Sequence, residues 1–240
     1  MNKSFIKSTI AIVAAAVLFS ACGKKSDTAQ TPNSAGNFPL PESPYVSKCE
    51  PGIPGGRLIL ATFGDPKTFN PITANENSST DILLLLFSSL ASVDVPTQEM
   101  LPGLAESWSV EADQKTWTFH LRRGVRWSDG EPLTADDVLF TFNDVIYNTN
   151  IINVTVDQFR IDGKDFIVSK VDDYTVRVVT PDIYAPFLRF FGNAPILPKH
   201  ALTKAVAEHR FEAAYGINTP PAEMVGCGPY RLKEYKPGEF

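Results

Sequence analysis

The most constraining stretch runs from Leu104 to Val138. Trp117, Phe119 and Leu121 fall on one face of a period-two pattern, and Thr116, Thr118 and His120 fall on the other. That alternation predicts a half-buried strand. Ser128-Asp-Gly130 punctuates the chain as a turn. Thr134, followed three residues later by Asp137, predicts a capping box with Asp in place of the usual Glu or Gln. Behind it Val138, Leu139, Phe142, Val145 and Ile146 recur at helical spacing. The stretch therefore reads as a strand, a tight turn and a capped helix.

The beginning of the chain reads as an export signal. Lys3 and Lys7 form a positive start to residues 1–21, and Ile10 to Phe19 is an apolar run too short for a membrane span. Leu18-Phe-Ser-Ala-Cys22 resembles a lipobox, with Phe19 where Leu is usual. Cys22 is the expected lipidation site. The alternative is ordinary cleavage near Ala21. Residues 22–54 are rich in Ser, Thr, Pro, Ala and Asn without periodicity, as in a flexible tether. Its central 23–50 would span about 30 Å as a coil.

Further along, Leu58 to Phe63 predicts a buried strand ended by Asp65-Pro66. Ser79 to Leu90 predicts a helix with Ser79 or Thr80 as N-cap and Leu83, Leu86, Phe87 and Leu90 on one face. Residues 91–107 read as a connector, and 148–165 as polar and irregular. A hairpin is expected over 166–179, turning at Asp172-Asp173, with Tyr174, Val176 and Val178 sharing a face. Pro186 should open a short helix. Residues 201–218 read as helical, with Ala201, Ala205, Phe211 and Ala214 inward. Gly226 and Gly228 suit close backbone packing or positive φ, with a strand to follow.

Charge and chemistry narrow the function. The net charge of −5 offers no basic footprint for nucleic acid. Asp129, Glu131, Asp136 and Asp137 crowd together, but two of them fall in a first helical turn, where they serve the amides and the dipole. Arg122, Arg123 and Arg126 read as a solvated strand end. The three histidines, His120, His200 and His209, lack a ligand-like spacing, so no metal is expected. No catalytic residue and no cofactor is nominated, because neither a nucleophile elbow nor a phosphate loop occurs. Beyond Cys22, Cys49 and Cys227 are candidates for a disulfide in an exported chain, or for two partly buried free thiols.

Ala105-Glu-Ser-Trp108, Trp117 through Gly130 and Leu133-Thr-Ala-Asp-Asp-Val138 together resemble the signature of the family 5 extracellular solute-binding proteins. These are the peptide- and nickel-binding receptors of bacterial ABC importers. Pro195-Ile-Leu-Pro-Lys-His200 resembles the family's return strand. Gly226-Cys-Gly-Pro-Tyr230 resembles a further family motif, with Cys227 where Thr or Ser is commoner. The resemblance implies an α/β, type II periplasmic-binding-protein-like fold with a first lobe and a small α/β subdomain. Residues 55–78 and 190–240 would belong to that lobe and 79–189 to the subdomain. The second lobe is expected to be missing, since members run on for about as much chain again.

The same resemblance implies that Thr73, Ala74, Asn75 and Glu76, just after Asn70-Pro71, line the cleft and pair through their backbone with an extended peptide. The plainer alternative is a loop into the next helix. The implied protein is a non-enzymatic, lipid-anchored receptor on the periplasmic side of a bacterial membrane. Its partners would be an oligopeptide and ABC permease subunits, with no nucleic acid. Other readings are a truncated interaction or adhesion lipoprotein, and a carrier of nickel, sugar or another small solute. Mass spectrometry of membrane-fraction protein is expected to show acylated Cys22 at the mature N-terminus; an unmodified Cys22 or Gly23 there would end the lipoprotein reading.

Overall fold

A computed structural model describes residues 39–44, 55–153 and 155–238. The export signal, Cys22 and Cys49 lie outside the described residues. At the centre is a four-stranded sheet built from β3 (Ala105–Val110), β4 (Thr116–Leu121), β7 (Ile167–Asp172) and β8 (Thr175–Val179). The order is β3-β4-β8-β7, and every neighbouring pair is antiparallel. Phe119 sits opposite Trp108 on one side and Val176 on the other. Phe119, Leu121, Val176 and Val178 are buried and His120 is exposed, as the alternation predicts. Thr116 is buried as well, because its hydroxyl and amide are both held by the Asp113 carboxylate. The β7–β8 turn falls at Asp173-Tyr174, one residue later than expected. There the Asp172 carboxylate accepts from the Tyr174 N–H at 2.8 Å, a side-chain mimic of a backbone turn.

The capped helix covers this sheet. α2 (Ala135–Leu139) starts in the expected capping box, with the Thr134 N–H donating to Asp137 Oδ2 at 2.9 Å. Instead of continuing as α-helix, the chain forms a π-helix over Phe140–Ile146. The Thr141 hydroxyl donates to the Asp137 carbonyl at 2.7 Å, and the Tyr147 N–H reaches back five residues to Phe142. Phe140, Thr141 and Phe142 are buried together in this wider turn, with Val145 and Ile146. Of the five expected positions, Val138, Phe142, Val145 and Ile146 are buried and Leu139 partly so. α3 (Phe187–Phe191), entered from Pro186, adds an aromatic stack. Phe142 and Phe191 lie 4.1 Å apart between centroids, Phe187 and Phe191 5.0 Å, and Trp117 and Phe187 4.6 Å. Offset stacks of this kind contribute about 0.5–1.5 kcal/mol each beyond area burial.

Several local expectations change in the structure. Leu58, Ile59, Leu60 and Phe63 form no strand and are exposed. A strand buries such a run only where a neighbour accepts its backbone, and among the described residues no strand pairs with it. Residues 231–236 likewise form no strand. Pro195–Pro198 packs by single bonds, with the Ile196 N–H on Ser88 O at 3.1 Å, and α4 (Lys199–Ala207) starts before the motif ends. Leu202, not Ala201, is its buried residue. The expected helix to 218 stops early because His209 adopts φ 54°. The His209 and Arg210 amides then close a Schellman cap on Val206 and Ala205.

The connector contains a small antiparallel ribbon, β1 (Ala91–Val93) with β2 (Met100–Pro102). The supposedly irregular region contains another, β5 (Arg160–Ile161) with β6 (Lys164–Asp165). Asp162 and Gly163 turn that second ribbon with positive φ at both, the Asp-Gly hairpin signal. Arg122 is not solvated: it is buried, with Nε on Gly103 O at 2.8 Å and a second nitrogen on Ser43 O. Arg123 lies over the Tyr174 ring at 4.4 Å.

α1 (Asn77–Leu86) buries Leu83 and Leu86 and leads into buried Phe87 and Leu90. Its C-terminal end meets the glycine motif. The Gly228 N–H donates to Leu86 O at 2.9 Å and the Tyr230 N–H to Leu85 O at 3.0 Å. A Cβ at Gly226 would stand 2.2 Å from Leu86 O, and one at Gly228 2.4 Å from Leu85 O. Close approach, not positive φ, is therefore why both are glycine. Gly228→Ala is expected to destabilise by about 2 kcal/mol, lowering Tm by about 4–8 °C in thermal unfolding. Gly64→Ala, where a Cβ meets nothing within 4 Å, should leave Tm unchanged.

Candidate binding groove

The segment before α1 is shaped by its own side chains. The expected N-cap residues lie inside the helix, and Glu76 occupies the N-cap position. Ser79 is buried, and its hydroxyl accepts from the Lys67 N–H at 2.9 Å and the Thr68 N–H at 3.2 Å while donating to Glu76 Oε1. The Glu76 carboxylate also accepts from the Lys67 and Asn75 amides, each at 3.3 Å. The Ser79 hydroxyl first, with these amides in support, holds the Glu76 carboxyl below the usual carboxylate range.

Thr73 closes a turn that begins at Asn70, and the backbone is extended at Glu76, the N-cap of α1. The Ala74 N–H folds back on Asn70 O at 3.1 Å, and Ala74 is buried. Asn75 is exposed, and Thr73 and Glu76 are half-buried. These last three, with Lys67 and Thr68, line an open depression of about 720 Å³. Its other lining residues come from 212–223, including Glu212, Asn218, Thr219 and Glu223. Residues 73–76 are thus brought together with a stretch that the helical reading of 201–218 concealed. Gly216 and the pair Pro220-Pro221 were the sequence signals against a helix there.

The two segments are joined by backbone. The Phe69 N–H donates to Tyr215 O at 2.8 Å, and Thr68 and Gly216 form an antiparallel bridge. Asn70 is buried and donates from Nδ2 to Phe211 O at 2.8 Å and to Ala214 O at 3.0 Å.

The other chemical groups are occupied elsewhere. Asp129 pairs with His200 at 2.7 Å, and Asp136 with Lys170 at 2.8 Å. Asp137 is buried and accepts from the Thr134 and Lys199 amides; burial pushes its carboxyl up, and the amides act against that. Cys227 is half-buried, and desolvation pushes its thiol up to about 12, so it stays protonated at neutral pH. Its candidate partner Cys49 lies outside the described residues.

Because the Glu76 pKa is depressed in the folded state, its stabilisation is complete above the unfolded carboxylate value. It is lost as pH falls through the lower folded value. Ser79→Ala is expected to cost about 1–3 kcal/mol by leaving the Lys67 and Thr68 amides short of an acceptor. It should also move the Glu76 titration, followed by carboxyl NMR, up towards the ordinary range.

The sequence matches the bacterial extracellular solute-binding proteins, family 5 Middle, over residues 99–240. It is 32% identical over 198 residues to the dipeptide-binding protein of Escherichia coli (strain K12), covering 75% of this chain and 35% of that protein. A crystal structure of the ABC transporter substrate-binding protein CtaP from Listeria monocytogenes superimposes with a TM-score of 0.64 at 33% identity. That match covers 77% of this chain and 36% of the other. The oligopeptide-binding protein AppA from Bacillus subtilis, solved with a nonapeptide, gives a TM-score of 0.64 at 28% identity, covering 74% and 34%. The chain spans about a third of the length of the curated relatives it matches. By its matched sequence and its fold, the chain belongs to the family 5 bacterial extracellular solute-binding proteins.

Proposed function

We propose that this chain is the substrate-binding component of an ABC import system and that its ligand is an oligopeptide. The observation that carries this reading is the open depression of about 720 Å³ beside Thr73, Asn75 and Glu76. Its lining supports a ligand recognised mainly through its backbone. Thr73, Asn75, Asn218 and Thr219 supply neutral donors and acceptors beside the charged Lys67, Glu212 and Glu223, and the Glu76 carboxylate is occupied by Ser79 and two amides. Neutral polar groups of this kind hold a peptide without selecting its side chains. Two of the relatives are described as binding dipeptides or oligopeptides. In this reading Cys22 carries the lipid, 22–54 tethers the domain on the periplasmic side of the membrane, and permease subunits receive the ligand. The division into lobe residues 55–78 and 190–240 around a 79–189 subdomain belongs to the same proposal.

Calorimetry of the full-length protein against a set of short peptides tests it. Micromolar or tighter binding of at least one peptide is the expected result. Asn75→Pro removes an amide that holds Glu76 and should weaken that binding by about ten-fold, on the order of 1.4 kcal/mol. Unchanged affinity would take 73–76 out of the site.

A further inference from the structure

We infer that Asn70 is the positioning residue of this groove: one buried amide holds its two lining segments in register. The inference rests on the reading of the depression as the binding site. Asn70 is 1% exposed, and both ends of its amide are used. Nδ2 donates to Phe211 O and Ala214 O, which flank Glu212 and Ala213 on one segment. Oδ1 accepts from the Ile72 N–H at 3.0 Å, next to Thr73 on the other. The pattern needs two donors and an acceptor at a two-bond reach from the backbone, which the Asn amide supplies and a carboxylate does not.

A second observation points the same way. Tyr215 adopts φ 59°, a conformation that bulky side chains rarely take. It is held there by its hydroxyl on Val225 O at 3.1 Å, by its ring against Phe87 and by the Phe69 amide on its carbonyl. The chain direction into Gly216–Pro220 is thus set by the same cluster that Asn70 anchors. A groove fixed before the ligand arrives loses less ordering entropy on binding.

The test compares Asn70→Asp and Asn70→Ala with Val178→Ala, a buried change in β8 that serves as a stability control. Tyr215→Phe, which removes only the hydroxyl bond, serves as a milder variant. Full-length proteins are studied below the unfolding temperature of every variant, by amide hydrogen exchange and by peptide calorimetry. At pH 8 the Asn70→Asp carboxylate keeps its acceptor role but faces two carbonyls without a donor. Exchange over 71–76 and 211–223 should rise by about ten-fold over wild type, and peptide affinity should fall by a similar factor.

Burial beside two carbonyls favours the protonated carboxyl, so lowering the pH to 5 restores one donor and both effects should shrink. Lys67, Glu76, Glu212 and Glu223 line the same groove in every variant, so the difference from wild type at each pH isolates position 70. Asn70→Ala should show the loosening without the recovery, and Tyr215→Phe a smaller loosening confined to 211–223. Val178→Ala should loosen the sheet and leave both groove segments and the affinity unchanged.

Groove exchange that is unchanged in the Asn70 variants, or raised equally by Val178→Ala, overturns the inference. So does raised exchange with unchanged affinity in a protein that binds peptide. If wild type binds no peptide, the peptide reading falls, and the exchange comparison alone decides whether Asn70 holds the groove.

Discussion

Asp137 is the carboxylate on which the packing of this domain converges. It is buried, and its two oxygens accept from amides on separate segments, Thr134 at the start of α2 and Lys199 at the start of α4. Its own carbonyl takes the Thr141 hydroxyl, which in turn accepts from the Leu197 amide. One residue therefore caps a helix, starts a second and ties down the extended 195–198 stretch. Burying a carboxylate is costly unless it is hydrogen-bonded, and here both oxygens are bonded. The π-helical continuation of α2 starts one turn after this centre, where the Thr141 hydroxyl adds a bond to the Asp137 carbonyl.

A second constraint sits at the C-terminal end of α1, where the chain around Gly226 and Gly228 passes within a side chain's width of Leu85 and Leu86. This close crossing has a consequence for the groove. It fixes the end of α1 against the 224–230 stretch, while Ser79 and Glu76 fix the helix start against Lys67 and Thr68. The helix is held at both ends, and the residues that line the depression lie between its start and the segment leading into the glycines. Binding residues on a short turn gain precision from such scaffolding.

The local period-two and cap signals were readable because their physics is short-ranged. The strand at Thr116–Leu121 and the Thr134–Asp137 box need only neighbours within a few residues. The signature stretch pointed to the family by its resemblance to known members over a contiguous run. Leu58–Phe63 was misread because an apolar run states only a preference for burial, and a strand needs a partner from elsewhere in the chain. The helix expected through 218 failed at His209, where a left-handed cap ended it without a glycine to announce it. Half of the candidate site, 73–76, was legible through resemblance, whereas the 212–223 half was hidden by that misread helix.

By itself the sequence determined the sheet-forming strands at 116–121 and 166–179 and the capped helix, which follow from residue type, period and spacing along the chain. The family followed from the likeness of its signature run to known members. Only the tertiary structure decided that Asn70 and Tyr215 join distant segments, that Ser79 is a buried acceptor and not a cap, and that Arg122 is buried against carbonyls. It also decided that the two glycines serve a close crossing. Those outcomes depend on which backbone groups meet across separations of ten to more than a hundred residues, as in the Ser79–Lys67 and Asn70–Ala214 bonds. No local period encodes that information.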